Sequence, residues 1–487
     1  MTIGTAADDD LAPRSSLART AVAYLAMIGG AIAFFLWIAA RGGSLLAAAP
    51  ADEASRFGGP AAPASVDTLL HILLALAVVL ITARLLGHLF KRLQQPPVIG
   101  EVIAGILLGP SLLGLVAPGA YAYLLPPSIS PYLGVLSQIG VILFMFLVGL
   151  ELDTSRLRHG THSTIAISHA SILVPFLLGS TFALWLYPRF STRDVPFTVF
   201  ALFLGVSLSV TAFPVLARIL TDRNLHKTPL GIVALTCAAV DDVTAWCLLA
   251  FVVSVAQARV GGAAKTVLWT LVFVIAVLVV ARPLLDKLSR HVDRTGHLTQ
   301  TTMAVLFIAL LLSALVTEGI GIHALFGAFL LGAVIPCEGR IAREVTHRLE
   351  YPVIVLLLPA FFAFTGMRTQ IGLVRGAFEW LVCAVIIALA CLGKFGGTYA
   401  AARLTSIPWR ESAALGILMN TRGLMQLIVL NIGLDLKVLS PRLFAMLVLM
   451  AIVTTIMTTP ILNLLIRDGG AGTAREIRLE PEGGHPT

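Results

Sequence analysis

The chain has 487 residues, of which 57% are hydrophobic and 12% charged, and its formal net charge is +8. A soluble domain usually carries about 25% charged residues, so this composition excludes an ordinary soluble globular protein. The basic residues are scattered through short loops rather than gathered in a patch, so we expect no nucleic-acid partner.

Apolar blocks recur along the chain at about the 20 residues that a helix needs to cross a bilayer. Because backbone polar groups in hydrocarbon must be satisfied within their own segment, we expect each block to be a helix. One block precedes a loop rich in Ala, Pro and Gly that ends near residue 66, and thirteen more follow it. The predicted spans lie at about 21–40, 67–89, 97–115, 132–154, 162–187, 196–220, 229–256, 266–285, 301–317, 321–336, 350–367, 376–401, 411–433 and 441–466.

These spans divide the chain into three parts. Residues 1–66 hold a tail, an extra transmembrane helix and a loop, residues 67–466 form the transmembrane domain, and residues 467–487 form a short cytoplasmic tail. Lys and Arg are enriched in cytoplasmic loops, and a cytoplasmic N-terminus places about twice as many of them inside as outside. We therefore expect a multi-pass protein of the inner or plasma membrane with both termini in the cytoplasm. Cleavage of the first span as a signal peptide stays open.

The strongest polar signal is a pair of adjacent acidic residues, Asp241 and Asp242, in the middle of an apolar span. One Asp at a helix centre costs roughly 2.5–3.5 kcal/mol on insertion, so a pair indicates a function such as binding a mobile ion. Adjacent helical side chains point about 100° apart, so one carboxylate can face a water-filled cavity while the other meets a neighbouring helix. Lys394, the only lysine inside a predicted span, is the expected counter-charge. The structural alternative is a salt bridge that only holds helices together.

Two other spans carry polar or helix-breaking residues near their middle. The fifth span after the long loop contains Ser209, Thr211 and Pro214, and the twelfth contains Asn420 and Arg422. A proline frees backbone carbonyls, which together with hydroxyls are oxygen ligands suited to Na⁺ or K⁺. Interrupted helices at matching positions indicate two inverted six-helix repeats around a binding site. An ordinary proline kink, and a purely structural role for the arginine, are the alternatives.

A further acidic residue, Glu101, lies near one end of its span. We expect it to pack helices or to gate access rather than to bind the ion.

Six motifs in the order found here resemble the second branch of the monovalent cation:proton antiporter superfamily. That branch includes bacterial Na⁺/H⁺ and K⁺/H⁺ exchangers and plant cation/H⁺ exchangers, and the resemblance covers about 67–466. The motifs are Q-P-P-V-I-G-E-V-I-A-G-I-L-L-G-P (95–110), F-L-V-G-L-E-L-D (146–153), S-L-S-V-T-A-F-P-V-L-A-R-I-L (207–220), the aspartate pair (241–242), G-I-H-A-L-F-G-A-F-L-L-G (321–332) and N-T-R-G-L-M-Q-L-I-V-L-N-I-G-L (420–434).

The resemblance implies an all-α polytopic membrane protein with a thirteen-helix core, a dimerisation domain, a moving core domain and two broken helices that cross beside the ion site. By motif position, Asp242 would bind the cation and the proton, Asp241 would be the partner of Lys394, and Thr211 would lie at the crossover. Gln426 stands where similar members often have Glu. Because of this difference, the ion preference of those members cannot be assigned to this chain.

The expected function is secondary active antiport of Na⁺ and/or K⁺ against protons, by a homodimer in the lipid bilayer and without a cofactor. The transported metal cation would bind at Asp241 and Asp242. Two acids suggest more than one proton per cation and hence electrogenic exchange, although Lys394 can supply a proton instead. Two other functions stay open: a Na⁺-coupled symporter of an organic anion on a similar fold, and a potassium efflux channel-like protein. Without a nucleophile–base constellation in the sequence, we do not expect an enzyme.

Overall fold

The computed structural model describes residues 14–47, 68–151, 162–223, 225, 228–257 and 263–467, and the regular secondary structure of these residues is entirely helical. Two π-helical turns, Val277–Ala281 and Val353–Leu357, and two 3₁₀ turns, Pro127–Ile129 and Ile371–Leu373, lie between the α-helices. The α-helices are α1 (Arg14–Gly42), α2 (Thr68–Arg92), α3 (Pro97–Leu108), α4 (Leu113–Val116), α5 (Pro118–Leu124), α6 (Ser130–Leu150), α7 (His162–Phe190), α8 (Phe197–Ser209), α9 (Phe213–Asp222), α10 (Pro229–Gln257), α11 (Ala263–Ala276), α12 (Arg282–Thr295), α13 (Gln300–Ile320), α14 (Ala324–Ala333), α15 (Arg340–Pro352), α16 (Leu358–Arg368), α17 (Gly376–Leu404), α18 (Trp409–Met419), α19 (Leu424–Asp435) and α20 (Pro441–Arg467).

The helices confirm a polytopic membrane protein. In the described residues, 12 helical spans, several of them made of consecutive helices, are long and apolar enough to cross a membrane, and α18 with α19 makes a thirteenth across a bend of 43°. One predicted span is too long, because the segment at 321–336 forms only the 10 residues of α14. Gly321 and His323 have positive φ angles of 92° and 76°, so helical geometry cannot begin before residue 324. The predicted tail, apart from its first residue, lies outside the described residues.

The helices pack as two bundles. The frame bundle comprises α2 to α6 and α11 to α16, in which α16 packs on α2, α3 and α6, and α14 packs on α6 and α13. The site bundle comprises α1, α7 to α10 and α17 to α20, in which α7 packs on α8, α10 and α17. The bundles meet where α10 contacts α11, where α16 contacts α19, and where α20 contacts the 3₁₀ turn Ile371–Leu373. Both interrupted spans and both adjacent aspartates therefore belong to the same bundle.

Glycines let frame helices touch backbone to backbone. A Cβ added to Gly366 of α16 would lie 2.2 Å from the Val102 carbonyl oxygen of α3, and one added to Gly105 of α3 would lie 2.1 Å from the Ala363 carbonyl oxygen of α16. Helices α6 and α14 approach each other in the same way. Small residues permit such close packing between membrane helices, and any side chain larger than hydrogen would force these helices apart.

The leading helix α1 packs on the site bundle. The Tyr24 and His169 rings meet edge to face with centroids 5.0 Å apart, and the Phe35 and Phe176 centroids are 5.7 Å apart. Both partner rings belong to α7. Other large side chains of α1, such as that of Leu25, remain exposed, as expected of a helix that faces lipid.

Candidate ion-binding site

Asp241 and Asp242 lie near the middle of α10, and both are buried, with 0% and 6% of their surface exposed. Because neighbouring helical residues point about 100° apart, their carboxylates meet different surroundings. The first faces α7 and α17, and the second faces the start of α9.

The carboxylate of Asp241 is surrounded by donors. The Lys394 Nζ of α17 lies 2.9 Å from its Oδ2, and the two side chains form an ion pair with 0% exposure on either side. Ser171 donates to Oδ2 at 2.7 Å, Ser168 donates to Oδ1 at 2.5 Å, and the Thr211 hydroxyl lies 2.9 Å from Oδ2. A buried ion pair is tolerated when further hydrogen bonds satisfy its remaining atoms. Asp241 is therefore a buried carboxylate whose two oxygens both have hydrogen-bond donors.

The carboxylate of Asp242 has fewer partners. It accepts the backbone N–H of Phe213, the first residue of α9, where the partial positive charge of a helix N-terminus favours an anion. Its Oδ1 is buried and has no hydrogen-bond partner among the described residues. A buried acceptor without a partner costs about 1–3 kcal/mol, and more when it is charged. A proton on this oxygen, or a cation bound to it, would remove that cost.

The two interrupted spans meet at their breaks, beside the aspartates. The first break, residues 210–212, separates α8 from α9, and the second break, residues 420–423, separates α18 from α19. The Ala212 backbone N–H donates to the Thr421 carbonyl oxygen at 3.0 Å, so the non-helical segments are hydrogen-bonded to each other. Irregular backbone at membrane depth is tolerated where it is buried in protein. Here the hydrogen bond between the breaks satisfies one backbone polar group of each.

Two side chains and one glycine fix how closely the breaks approach. The Thr211 hydroxyl lies 3.1 Å from the Met419 carbonyl oxygen as well as beside the ion pair. A Cβ on Gly423 would lie 2.6 Å from Val215 Cγ2 of α9, so only glycine fits there. Pro214 occupies the first turn of α9, where its missing N–H is harmless. The proline thus begins the second half of a broken span and does not kink a continuous helix.

Arg422 donates hydrogen bonds to backbone carbonyl oxygens at the C-terminal end of α8. It is 1% exposed, and its guanidinium donates to the carbonyl oxygens of Leu208 at 2.6 Å and Ser207 at 3.2 Å, and to Gln426 Oε1 at 3.1 Å. The last carbonyls of a helix lack intrahelical donors and carry partial negative charge. These contacts are of the kind that a structural role requires, and the neutral Gln426 amide serves as one of the acceptors.

Three other residues that the sequence predicts for the site make no contact with the aspartates by hydrogen bonds in the described part of the chain. The Ser209 hydroxyl donates to the Gly205 carbonyl oxygen of its own helix at 2.7 Å, and the Asn420 amide nitrogen lies 3.5 Å from Cys391 Sγ. Glu101, 8% exposed, lies on α3 in the frame bundle. Within the described part of the chain, no hydrogen bond joins these three side chains to either aspartate.

Sequence reasoning missed Ser168 and Ser171. They lie three positions apart and so share one face of α7, which is the only signal that their sequence offers. Serine is common in apolar helices because its hydroxyl can bond to its own backbone. The acceptor in this case, Asp241, is 73 and 70 residues away along the chain.

The sequence matches known proteins over most of its length. The family model described as "Sodium/hydrogen exchanger, transmembrane" matches residues 68–465. The chain is 46% identical over 397 residues to the Na⁺/H⁺ antiporter NhaS4 of Synechocystis, which covers 81% of this chain and 97% of that protein. It is 42% identical to cation/H⁺ antiporter 19 of Arabidopsis thaliana and 34% identical to K⁺/H⁺ antiporter 1 of Saccharomyces cerevisiae. These matches cover 82% and 80% of this chain but only 50% and 46% of the plant and yeast proteins.

A solved structure supports the fold. The structure of the sodium proton antiporter MjNhaP1 from Methanocaldococcus jannaschii at pH 8 superposes with a TM-score of 0.56 and 15% sequence identity, over 82% of this chain and 98% of that one. At this identity the likeness concerns the fold alone. The family model and the cyanobacterial relative show that the chain belongs to the transmembrane sodium/hydrogen exchanger family.

Proposed function

We propose that this chain is a secondary active antiporter that exchanges a monovalent cation, Na⁺ or K⁺, for protons across a cell membrane. Family membership supports this proposal, as do relatives named for Na⁺/H⁺ exchange and for K⁺/H⁺ exchange. The comparisons give no support to an organic-anion symporter or to a channel. The observation that carries the proposal is Asp242, a buried carboxylate at a helix N-terminus with one oxygen free of hydrogen bonds.

Exchange follows from competition for one carboxylate. A proton on Asp242 and a cation bound to it neutralise the same buried charge, so each displaces the other. The Thr211 hydroxyl beside Asp241 and the carbonyl oxygens of the two breaks would supply further oxygen ligands, and hard cations bind oxygen. If the site bundle changes its position only when Asp242 is neutralised, one ion must leave before the other can return. The separate packing of the two bundles supports a rigid-body movement of this kind.

The charge moved per cycle depends on Lys394. Because both oxygens of Asp241 already have donors, that carboxylate offers no second proton site while the ion pair is intact. Electrogenic exchange therefore needs the lysine to release a proton when a cation reaches Asp241. We expect an imposed membrane potential to change the exchange rate. An unchanged rate would mean that Asp242 alone carries one proton per cation.

We extend the proposal to the assembly in the cell. We place residues 67–466 in the inner or plasma membrane as the exchanging domain, with both termini in the cytoplasm and two chains forming a homodimer. The distribution of basic residues supports the orientation, and the resemblance supports the dimer. Side-specific labelling of single cysteines in loops tests the first, and cross-linking in native membranes tests the second.

Reconstitution tests the function directly. Proteoliposomes with an acidic, dye-loaded interior should become more alkaline inside when Na⁺ or K⁺ is added outside, and a series with Na⁺, K⁺ and Li⁺ would rank the cations. Asp242→Asn should abolish this signal, because the amide neither takes up the proton nor balances the cation. The matched control is Asp194→Asn, which removes an exposed carboxylate between α7 and α8 and should exchange normally. Normal exchange by Asp242→Asn would overturn the proposal.

A further inference from the structure

A polar cluster joins the two bundles at one end of their interface. Arg368, the last residue of α16, donates to Asn431 Oδ1 at 3.0 Å and to Asp435 Oδ1 at 2.5 Å, both on α19. The Asn431 amide nitrogen in turn donates to Thr365 Oγ1 of α16 at 2.8 Å. Because α16 belongs to the frame bundle and α19 to the site bundle, every one of these hydrogen bonds spans the boundary between them.

Burial in this cluster falls from the inside to the outside. Thr365 is 0% exposed and Asn431 7% exposed, whereas the Arg368 side chain is 13% exposed and that of Asp435 42%. The ion pair thus lies nearest the aqueous surface and covers the amide–hydroxyl bond behind it. The exposed pair thus lies outside the buried pair in this part of the interface.

One face of α19 shows what the cluster closes. Leu427, Asn431 and Asp435 follow each other at intervals of four and so share one face of the helix, and Gly423, the last residue of the second break, precedes them by the same interval. Of these four residues, Gly423 and Leu427 are the inner two. The inner two line a cavity of about 20 Å³ between the second break and α3, with Val102 on its opposite wall. A space of that size holds about one water molecule. Going outward from the break, the interface therefore changes from a small cavity to a closed polar contact.

The two sides of the contact differ in how they are held. Helix α16 is fixed to α3 by glycine contacts that leave no space for sliding, whereas side-chain hydrogen bonds at a surface can be exchanged for bonds to water. A relative movement of the bundles therefore breaks the contact between α16 and α19 before it disturbs the one between α16 and α3.

We propose that Thr365, Arg368, Asn431 and Asp435 form a latch that closes the site at this end and must separate each time the site opens there. The inference rests on the proposed function, because exchange requires the site to open on both sides of the membrane in turn. The latch residues touch neither aspartate, so they act on access and not on ion binding.

The first test locks the latch. In a background whose native cysteines are replaced and whose exchange is verified, Thr365→Cys with Asn431→Cys places two thiols across the boundary. Bridging them with mercuric ion should reduce exchange at least tenfold, and excess thiol should restore it, while neither single-cysteine variant should respond. Full exchange by quantitatively bridged protein would overturn the latch. Failure of the unmodified protein to exchange any cation for protons would instead count against the proposed function.

The second test does not depend on transport. Thr365→Cys is buried behind the ion pair, so a water-soluble maleimide should label it slowly. Adding Asp435→Asn removes the charge that holds Arg368, and labelling should accelerate roughly tenfold, which corresponds to the loss of one charge-assisted hydrogen bond.

The matched control breaks an ion pair inside one bundle at the same end. Arg442 of α20 lies 2.6 Å from Glu379 of α17, and both helices belong to the site bundle. Glu379→Gln in the same reporter background should leave the labelling rate unchanged. Equal acceleration of labelling by both substitutions would mean that each loosens the protein as a whole. No acceleration by Asp435→Asn would mean that the Arg368–Asp435 pair does not keep water from position 365. Either result would overturn the proposal.

Discussion

The frame bundle and the site bundle are held together by different means. In the frame, α3 and α16 meet through glycines and through carbonyl oxygens that lie where a Cβ would be. In the site bundle, α7, α10 and α17 meet through a lysine, an aspartate and hydroxyls, all buried. The glycine contacts contain no group that can gain or lose a charge, while the second arrangement includes two such groups, Asp241 and Lys394.

This difference indicates that the frame bundle and the site bundle have different roles. Backbone contacts through glycine have one geometry, so the frame can act as a fixed support. A charged network responds to protons and cations, because its stability depends on which of its members are neutralised. Substitutions in the two bundles should therefore destabilise the protein in different ways, and three sets of variants test this in order of expected effect.

The largest effect should come from Lys394→Met. This change leaves the buried Asp241 without its cation, and removing one partner of a buried ion pair costs about 3–5 kcal/mol. Thermal unfolding in detergent should show the loss. Adding Asp241→Asn should restore much of the lost stability, because the uncompensated charge is then gone. A double variant no more stable than Lys394→Met would show that the network is not held by its charges.

The next effect should come from Gly366→Ala in the frame. The added methyl lies 2.2 Å from the Val102 carbonyl oxygen, and overpacking of this kind costs about 3 kcal/mol. Gly319→Ala is the matched control in α13, where a Cβ meets nothing within 4 Å, and it should be neutral or slightly stabilising. Similar unfolding temperatures for the two variants would contradict the close packing of α3 and α16.

The smallest effects should separate two serines of the site bundle. Ser171→Ala removes a hydrogen bond to the charged Asp241 and should cost about 1.5 kcal/mol. Ser209→Ala removes only a bond to the Gly205 carbonyl oxygen of its own helix, so it should cost less. Thermal unfolding of both variants under one set of conditions makes the comparison. A larger loss in Ser209→Ala would show that this hydroxyl has a partner across the break.

Hydropathy predicted the fold well because crossing a bilayer demands length and apolarity, which a sequence displays directly. It failed at 321–336, where two residues with positive φ shorten the helix to ten residues. The aspartate pair and Lys394 were visible for the same reason, since charge in an apolar span is costly. Ser168 and Ser171 were not, because a serine in a membrane helix is inexpensive and the rotation of each helix about its axis is set by packing.

The placement of α1 has a practical consequence. Its aromatic contacts with α7 tie it to the half of the protein that carries the aspartates, whereas α13 belongs to the other half. A donor fluorophore on the exposed face of α1 and an acceptor on α13 would therefore form a molecular ruler across the boundary. Single-molecule recordings from such a pair would measure how long each conformational change of the transport cycle takes, without any change to the ion-binding residues.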